Sequence, residues 1–147
     1  MRKFFAVTAA AFAALALAGC ASTDDAAPVA APAVQVEYLE IVTPDVEATC
    51  ALLAAEHGVS FSDPVPELGM ARVATLAGGG RIGVRAPLRD TEEPVVRPYM
   101  LVEDIEAASA AAEATGGAIA VPPTDIPGQG KFAIYLLGGI QHGLWER

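Results

Sequence analysis

Tyr38-Leu-Glu-Ile-Val-Thr-Pro-Asp45-Val-Glu-Ala48 and Arg97-Pro-Tyr-Met-Leu-Val-Glu-Asp104-Ile-Glu-Ala107 are two versions of one pattern. A shift of 59 residues lays Asp45 on Asp104, Glu47 on Glu106 and Ala48 on Ala107. The same shift continues through Ala51 on Ala110, Ala55 on Ala114 and Gly58 on Gly117. Each copy opens with alternation. Leu39, Ile41 and Thr43 share one face, and Tyr38, Glu40 and Val42 share the other, as in a strand half-covered by protein. Each strand then meets a helix start. Thr43-Pro44-Asp45 combines a capping hydroxyl, a proline in the first turn and an acid near the positive helix end.

Working outward, the first helix is expected over 44–57, closed by Gly58, with Val46, Cys50, Leu53 and His57 on one stripe. The second is expected over 104–115, closed by Gly116-Gly117, with Ile105, Ala108 and Ala112 inward. Strands should follow each helix: 59–62, 70–76 and 81–86 in the first copy, and 118–121, 131–137 and 141–146 in the second. Gly78-Gly79-Gly80 and Gly138-Gly139 mark hairpin turns. The order is β-α-β-β-β, twice, with modules at about 36–86 and 97–146. The segment 87–96, with two prolines and three acids, reads as the linker.

Composition sets bounds on function. The chain has 147 residues, the length of one domain, with 14 glycines and 11 prolines that suit a turn-rich globular fold. Nine basic residues stand against eighteen acidic ones. That balance carries no electrostatic footprint for nucleic acid.

The N-terminus reads as an address. Arg2 and Lys3 precede an apolar run from Phe4 to Ala18, the length of a signal core and short of the roughly 20 residues of a membrane span. The run ends Leu17-Ala18-Gly19-Cys20, which resembles a bacterial lipobox. The expectation is a signal peptide over 1–19, a lipidated Cys20 and an Ala/Pro tether over 20–35. The lipid bilayer is then a partner, because several acyl chains make a stable anchor. By resemblance to proteobacterial lipoproteins, Ala21 rather than Asp after the cysteine implies the outer membrane over the inner, at the periplasmic face of the cell envelope. Cys50, left without a partner, is expected to be a small buried apolar residue.

The doubled pattern resembles the vicinal oxygen chelate (VOC) superfamily, which includes glyoxalase I, bleomycin-resistance proteins and extradiol dioxygenases. Ile41-Val-Thr-Pro-Asp-Val-Glu-Ala48 is similar to the family's opening helix motif. Pro122-Pro-Thr-Asp-Ile-Pro-Gly-Gln-Gly-Lys-Phe-Ala133 and His142-Gly-Leu-Trp-Glu146 are similar to the second module of a glyoxalase-like subgroup. The likeness covers 36–146. It implies an α+β fold in which two βαβββ modules form a curved mixed sheet around one cavity, with helices outside.

The resemblance also implies four metal-ligand slots, one on the first and one on the last strand of each module. These fall on Tyr38 and Arg97, and, with the last strands shifted by 61, on Arg85 and Glu146. The same shift pairs Arg81 with His142. Only Glu146 suits a metal, since guanidinium has no lone pair to give. The expectation is therefore no metal and no cofactor, with a divalent metal as the alternative.

Five arginines (Arg72, Arg81, Arg85, Arg89 and Arg97) lie within 72–97 of an otherwise acidic chain. Their planar forks suit carboxylate or phosphate. The expected ligand-binding set is Tyr38, Arg85, Arg97, Tyr99 and Glu146, for a small anionic or oxygen-rich molecule. Glu146 and His142 are the catalytic candidates should the protein be a lyase or dioxygenase of glyoxalase type. A third reading pairs Arg85 or Arg97 with Glu146, fills the cavity and leaves an envelope interaction protein. Many members of the resembled family dimerise, and a single chain of this length could also close a cavity, so a homodimer and a cavity within one chain both stay open.

Overall fold

The computed structural model describes residues 34–147. The expected signal peptide, Cys20 and the tether as far as residue 33 lie outside the described residues. The first strand, β1 (Val36–Val42), leads into helix α1 (Val46–His57). Strands β2 (Arg72–Thr75) and β3 (Arg81–Arg85) complete the first module. The second module runs β4 (Val95–Leu101), α2 (Ile105–Ala114), β5 (Ala118–Ile126), β6 (Gly130–Leu137) and β7 (Ile140–Glu146). All seven strands form one mixed sheet in the order β2-β3-β1-β4-β7-β6-β5. The fold class is the expected one.

Both helices start later than the sequence suggests. At α1 the Thr43 hydroxyl accepts the Asp45 N–H at 3.1 Å, which spends the capping group three residues before the first helical residue, Val46. At α2 Asp104, expected as the first helical residue, is instead the cap: it accepts the Ala107 N–H at 2.8 Å. Gly58, in the left-handed region at φ 64°, closes α1 by donating to the Ala54 carbonyl.

Two strand expectations change. No strand forms over 59–62. Pro64 and Pro66 remove two backbone donors just beyond it. The chain there makes a 3-10 turn, Pro66–Leu68, and an isolated bridge between Val65 and Ala71. The first module therefore has three strands where four were expected. In the second module β5 runs on through Pro122 and Pro123 to Ile126. It is the edge strand, so its missing donors face no neighbour, and register shifts around the prolines absorb the misfit.

One face of the sheet packs on the helices. Cys50 of α1 is buried with Ile82 and Val84, and Leu39, Ile41, Val46 and Leu53 pack around them. His57, expected on the same stripe, is exposed. Ile105 of α2 is buried with Ala133 and Leu144. The other face carries Tyr38, Tyr99, Ile134 and Trp145, with Leu68, Val121, Ile126 and Phe132 against them. Val73 of β2 and Val121 of β5 come from opposite ends of the strand order, yet both pack against this cluster, so the sheet curls around it.

Candidate functional site

The centre of the concave face is set by the pairing of β1 with β4. These strands are antiparallel, and they place Tyr38 opposite Tyr99 and Glu40 opposite Arg97. β3 lies parallel on the other side of β1, with Arg85 beside Val42. A carboxylate and two guanidinium groups from three strands thereby converge. Glu40 Oε1 accepts from Arg85 Nε at 2.7 Å, and Glu40 Oε2 accepts from Arg97 Nη1 and, at 2.9 Å, from the Tyr99 hydroxyl. Arg97 also donates through Nε to Gln141 Oε1 at 2.8 Å. On its other flank Arg85 donates to both oxygens of Glu92 at 2.9 and 2.6 Å and to the Ala86 carbonyl at 3.0 Å.

These groups line a cavity of about 920 Å³ walled by Leu68, Val121, Ile126, Phe132, Ile134 and Trp145. Burial opposes the charge of Arg85. Its hydrogen bonds to Glu92 and its attraction to Glu40 outweigh that, and its pKa stands above the ordinary arginine value. Both tyrosine hydroxyls are pushed up, first by desolvation and then by the neighbouring Glu40 charge. They remain protonated donors across the physiological range. The Glu92 carboxyl is held down to about 2, chiefly by its hydrogen bonds from Arg85.

Two glycines make the geometry possible. An ideal Cβ on Gly83 would lie 1.7 Å from the Tyr38 hydroxyl oxygen, and one on Gly143 would lie 2.3 Å from Tyr99 Cδ1. Each tyrosine ring therefore lies across a bare backbone on the neighbouring strand. Gly83 sits beside Glu40 and Gly143 beside Tyr99, the same relative place in each module.

This equivalence corrects the expected register. Gly83 matches Gly143 and Arg85 matches Trp145, a shift of 60 rather than 61. One residue of slip turns every side chain of a strand to the other face. Trp145 is fully buried among the cavity aromatics. Glu146, expected in the cavity, faces the helices, where its Oε2 accepts the Ile105 N–H of α2 at 2.8 Å. It cannot pair with Arg85 or Arg97. His142 is likewise on the helix side, stacked on Tyr135 at 5.0 Å and 15°.

Tyr38, Arg85, Arg97 and Tyr99 line this one cavity together. Of the other arginines, Arg89 lines the cavity, and Arg72 pairs with exposed Glu47. Arg81 lies over the Tyr38 and Trp145 rings at 5.6 and 5.0 Å and reaches Glu37 at 3.3 Å.

Glu40, Glu92 and Gln141 are absent from the expected set. Strand alternation already put Glu40 on the Tyr38 face, and that signal was sufficient to include it. Gln141 follows only from the corrected register of β7. Nothing local marks Glu92.

The donor set does not fit the divalent metal implied by the resemblance. The four slots hold a protonated phenol, two guanidinium groups and, in place of Glu146, an indole. Both oxygens of the central carboxylate are engaged by Arg85, Arg97 and Tyr99. Asp104, Glu106 and Glu146 gather their carboxylates within 4.8 Å on the helix side, but Lys131 and helix N–H groups already occupy them.

No family model matches the sequence, and no curated protein matches it. Solved structures do. A hypothetical protein from Bacillus halodurans C-125 is similar at a TM-score of 0.61 and 13% identity, over 78% of this chain and 94% of that one. Methylmalonyl-CoA epimerase from Mycobacterium tuberculosis is similar at 0.60 and 15%, over 75% and 85%. A Streptomyces coelicolor methylmalonyl-CoA epimerase variant in complex with 2-nitronate-propionyl-CoA is similar at 0.56 and 17%, over 76% and 96%. Methylmalonyl-CoA epimerase belongs to the VOC superfamily, and the mixed seven-stranded sheet with two outer helices gives this chain the VOC fold.

Proposed function

We propose that the protein is a lipid-anchored component of the bacterial cell envelope whose cavity takes a small anionic or oxygen-rich molecule without a metal ion. The observation that carries the reading is the pair of guanidinium groups, Arg85 and Arg97, set in a largely apolar cavity of about 920 Å³. Guanidinium has five N–H donors in a fixed fork. Among the described residues, Arg85 makes four hydrogen bonds, to Glu40, Ala86 and Glu92. Arg97 makes four, to Gln141, Glu40 and Tyr99. Each therefore keeps one Nη2 hydrogen for a ligand oxygen. The third sequence reading, Arg85 or Arg97 paired with Glu146 and the space filled, does not match the contacts: the arginines pair with Glu40 and Glu92, and a ligand-sized cavity remains. Two methylmalonyl-CoA epimerase structures of this fold are described as complexes with methylmalonyl-CoA and with 2-nitronate-propionyl-CoA, both oxygen-rich. Leu17-Ala18-Gly19-Cys20 supports the anchor.

Thermal-shift measurements on the body from Cys20 onward, against carboxylates, phosphates and neutral amides, test the cavity. Stabilisation by at least one oxyanion class is expected, reduced in Arg97→Lys, which keeps the charge and loses the fork. No response to any class, or a stoichiometric transition metal bound to the purified protein, overturns the reading. Cys20→Ser should abolish fatty-acid labelling and release the protein from the membrane fraction.

A further inference from the structure

We infer that Glu92 is an internal stand-in for the ligand's carboxylate, held on Arg85 by the linker between β3 and β4 and displaced when a monocarboxylate with an apolar body enters. The inference rests on the cavity being a binding site. Three observations carry it.

The first is the contact itself. Glu92 presents both oxygens to Nη1 and Nη2 of Arg85 at 2.9 and 2.6 Å, the side-on fork that a bound carboxylate would take. Glu92 also lines the cavity.

The second is where each member of the cluster is built. Glu40, Arg85 and Arg97 lie on central strands, with side chains exposed by 9, 6 and 6%. Glu92 is outside the sheet, on a segment of turns, with its side chain exposed by 22%. Apart from Arg85, its contact is the Leu88 N–H at 2.7 Å, within the same linker. It is the member of the cluster that can leave without disturbing a strand.

The third is charge. Two guanidinium groups and two carboxylates balance. With Glu92 withdrawn, Glu40 offsets one of the two positive charges, and the buried cluster is left at plus one. That deficit matches one singly charged carboxylate. The rest of such a ligand would meet Leu68, Ile126, Phe132 and Trp145, so an apolar body suits the remaining volume.

Because the strap competes intramolecularly, the apparent affinity is reduced by the fraction of molecules in which Arg85 is open. Removing the competing carboxylate raises it.

Benzoate, its neutral isostere benzamide and inorganic phosphate are titrated by calorimetry into the parent body and into E92Q and E92A, each checked for native circular dichroism. The expected result is benzoate affinity about tenfold or more higher in both variants. Benzamide should be unchanged, and Arg85→Lys in the E92Q background should remove the gain. A purely structural Glu92 would give loss of stability with no gain in benzoate affinity, and that result overturns the strap. Phosphate gaining while benzoate does not overturns the carboxylate class. Parent protein that binds oxyanions as tightly as E92Q sinks the strap and leaves the binding site standing. Failure of every protein with every probe and with the wider oxyanion panel sinks both.

Discussion

Glu40→Gln changes one oxygen for nitrogen and nearly nothing in volume, yet it should be among the most destabilising substitutions in the chain. Glu40 is 7% exposed, and its two neighbouring guanidinium groups are equally shielded. Arg85 keeps a charged partner in Glu92. Arg97 keeps only the neutral Gln141 and the Tyr99 hydroxyl, so its charge is stranded. Removing one partner of a buried ion pair costs about 3–5 kcal/mol, because the survivor's desolvation is no longer offset. For a body of this size each kcal/mol moves Tm by about 4 °C, so E40Q should melt about 12–20 °C lower.

Thermal unfolding followed by circular dichroism measures this directly. A cycle with Arg97→Met isolates the cause: E40Q should cost less when Arg97 is already gone, since one stranded charge has been removed. Glu47→Gln serves as the contrast. Its carboxylate is 77% exposed against Arg72, and Tm should not move. If E40Q melted within about 4 °C of the parent, roughly 1 kcal/mol, the convergence of two arginines on Glu40 would not describe the folded protein.

Gly143→Ala should destabilise more than Gly83→Ala. Its Cβ meets the root of the Tyr99 ring, at 2.3 Å from Cδ1 and 2.5 Å from Cγ, and the ring cannot yield without pulling its hydroxyl from Glu40. At Gly83 the clash is with the far end of Tyr38. Overpacking of this kind costs about 1–3 kcal/mol, read from urea midpoints. Glu92 makes stability depend on acid. Its carboxyl is lowered from 4.5 to about 2 in the fold, so the unfolded chain binds the proton first. The Glu92 contribution is whole above pH 4.5 and fades as pH falls toward 2. The difference in unfolding free energy between parent and E92Q should therefore shrink across that window and be flat above it. Cys50 is 5% exposed, and burial pushes its thiol up. Thiol reagents should label it at the rate of unfolding, and fast labelling in the native protein would contradict its place under α1.

Much of the architecture was legible because it is written in short-range chemistry. The alternation through Tyr38–Val42 sorted side chains onto two faces correctly. Repetition after 59 residues revealed two modules. Gly138 and Gly139 adopt the positive φ, 61° and 80°, that a tight hairpin between β6 and β7 requires. Failures were of a different kind. Asp63-Pro-Val-Pro66 disrupts the expected strand at 59–62, a conflict visible locally but outweighed by the pattern of the other copy. The expected strand stopped at 121, before Pro122 and Pro123, although on a sheet edge these prolines cost no hydrogen bond.

The sequence by itself determined the duplicated strand-helix plan, the side of β1 on which Glu40 stands and the gathering of arginines in one stretch. It did so because strand period, caps and turns depend on residues a few positions apart. Only the tertiary structure decided which residues form the centre. Glu40 meets Arg85 and Arg97 across 45 and 57 residues of chain, through strand pairing. A single-residue difference in the register of β7 exchanged Glu146 for Trp145 at the cavity. Period-two alternation tells which side chains travel together, and only the hydrogen-bonded neighbour tells which way they face.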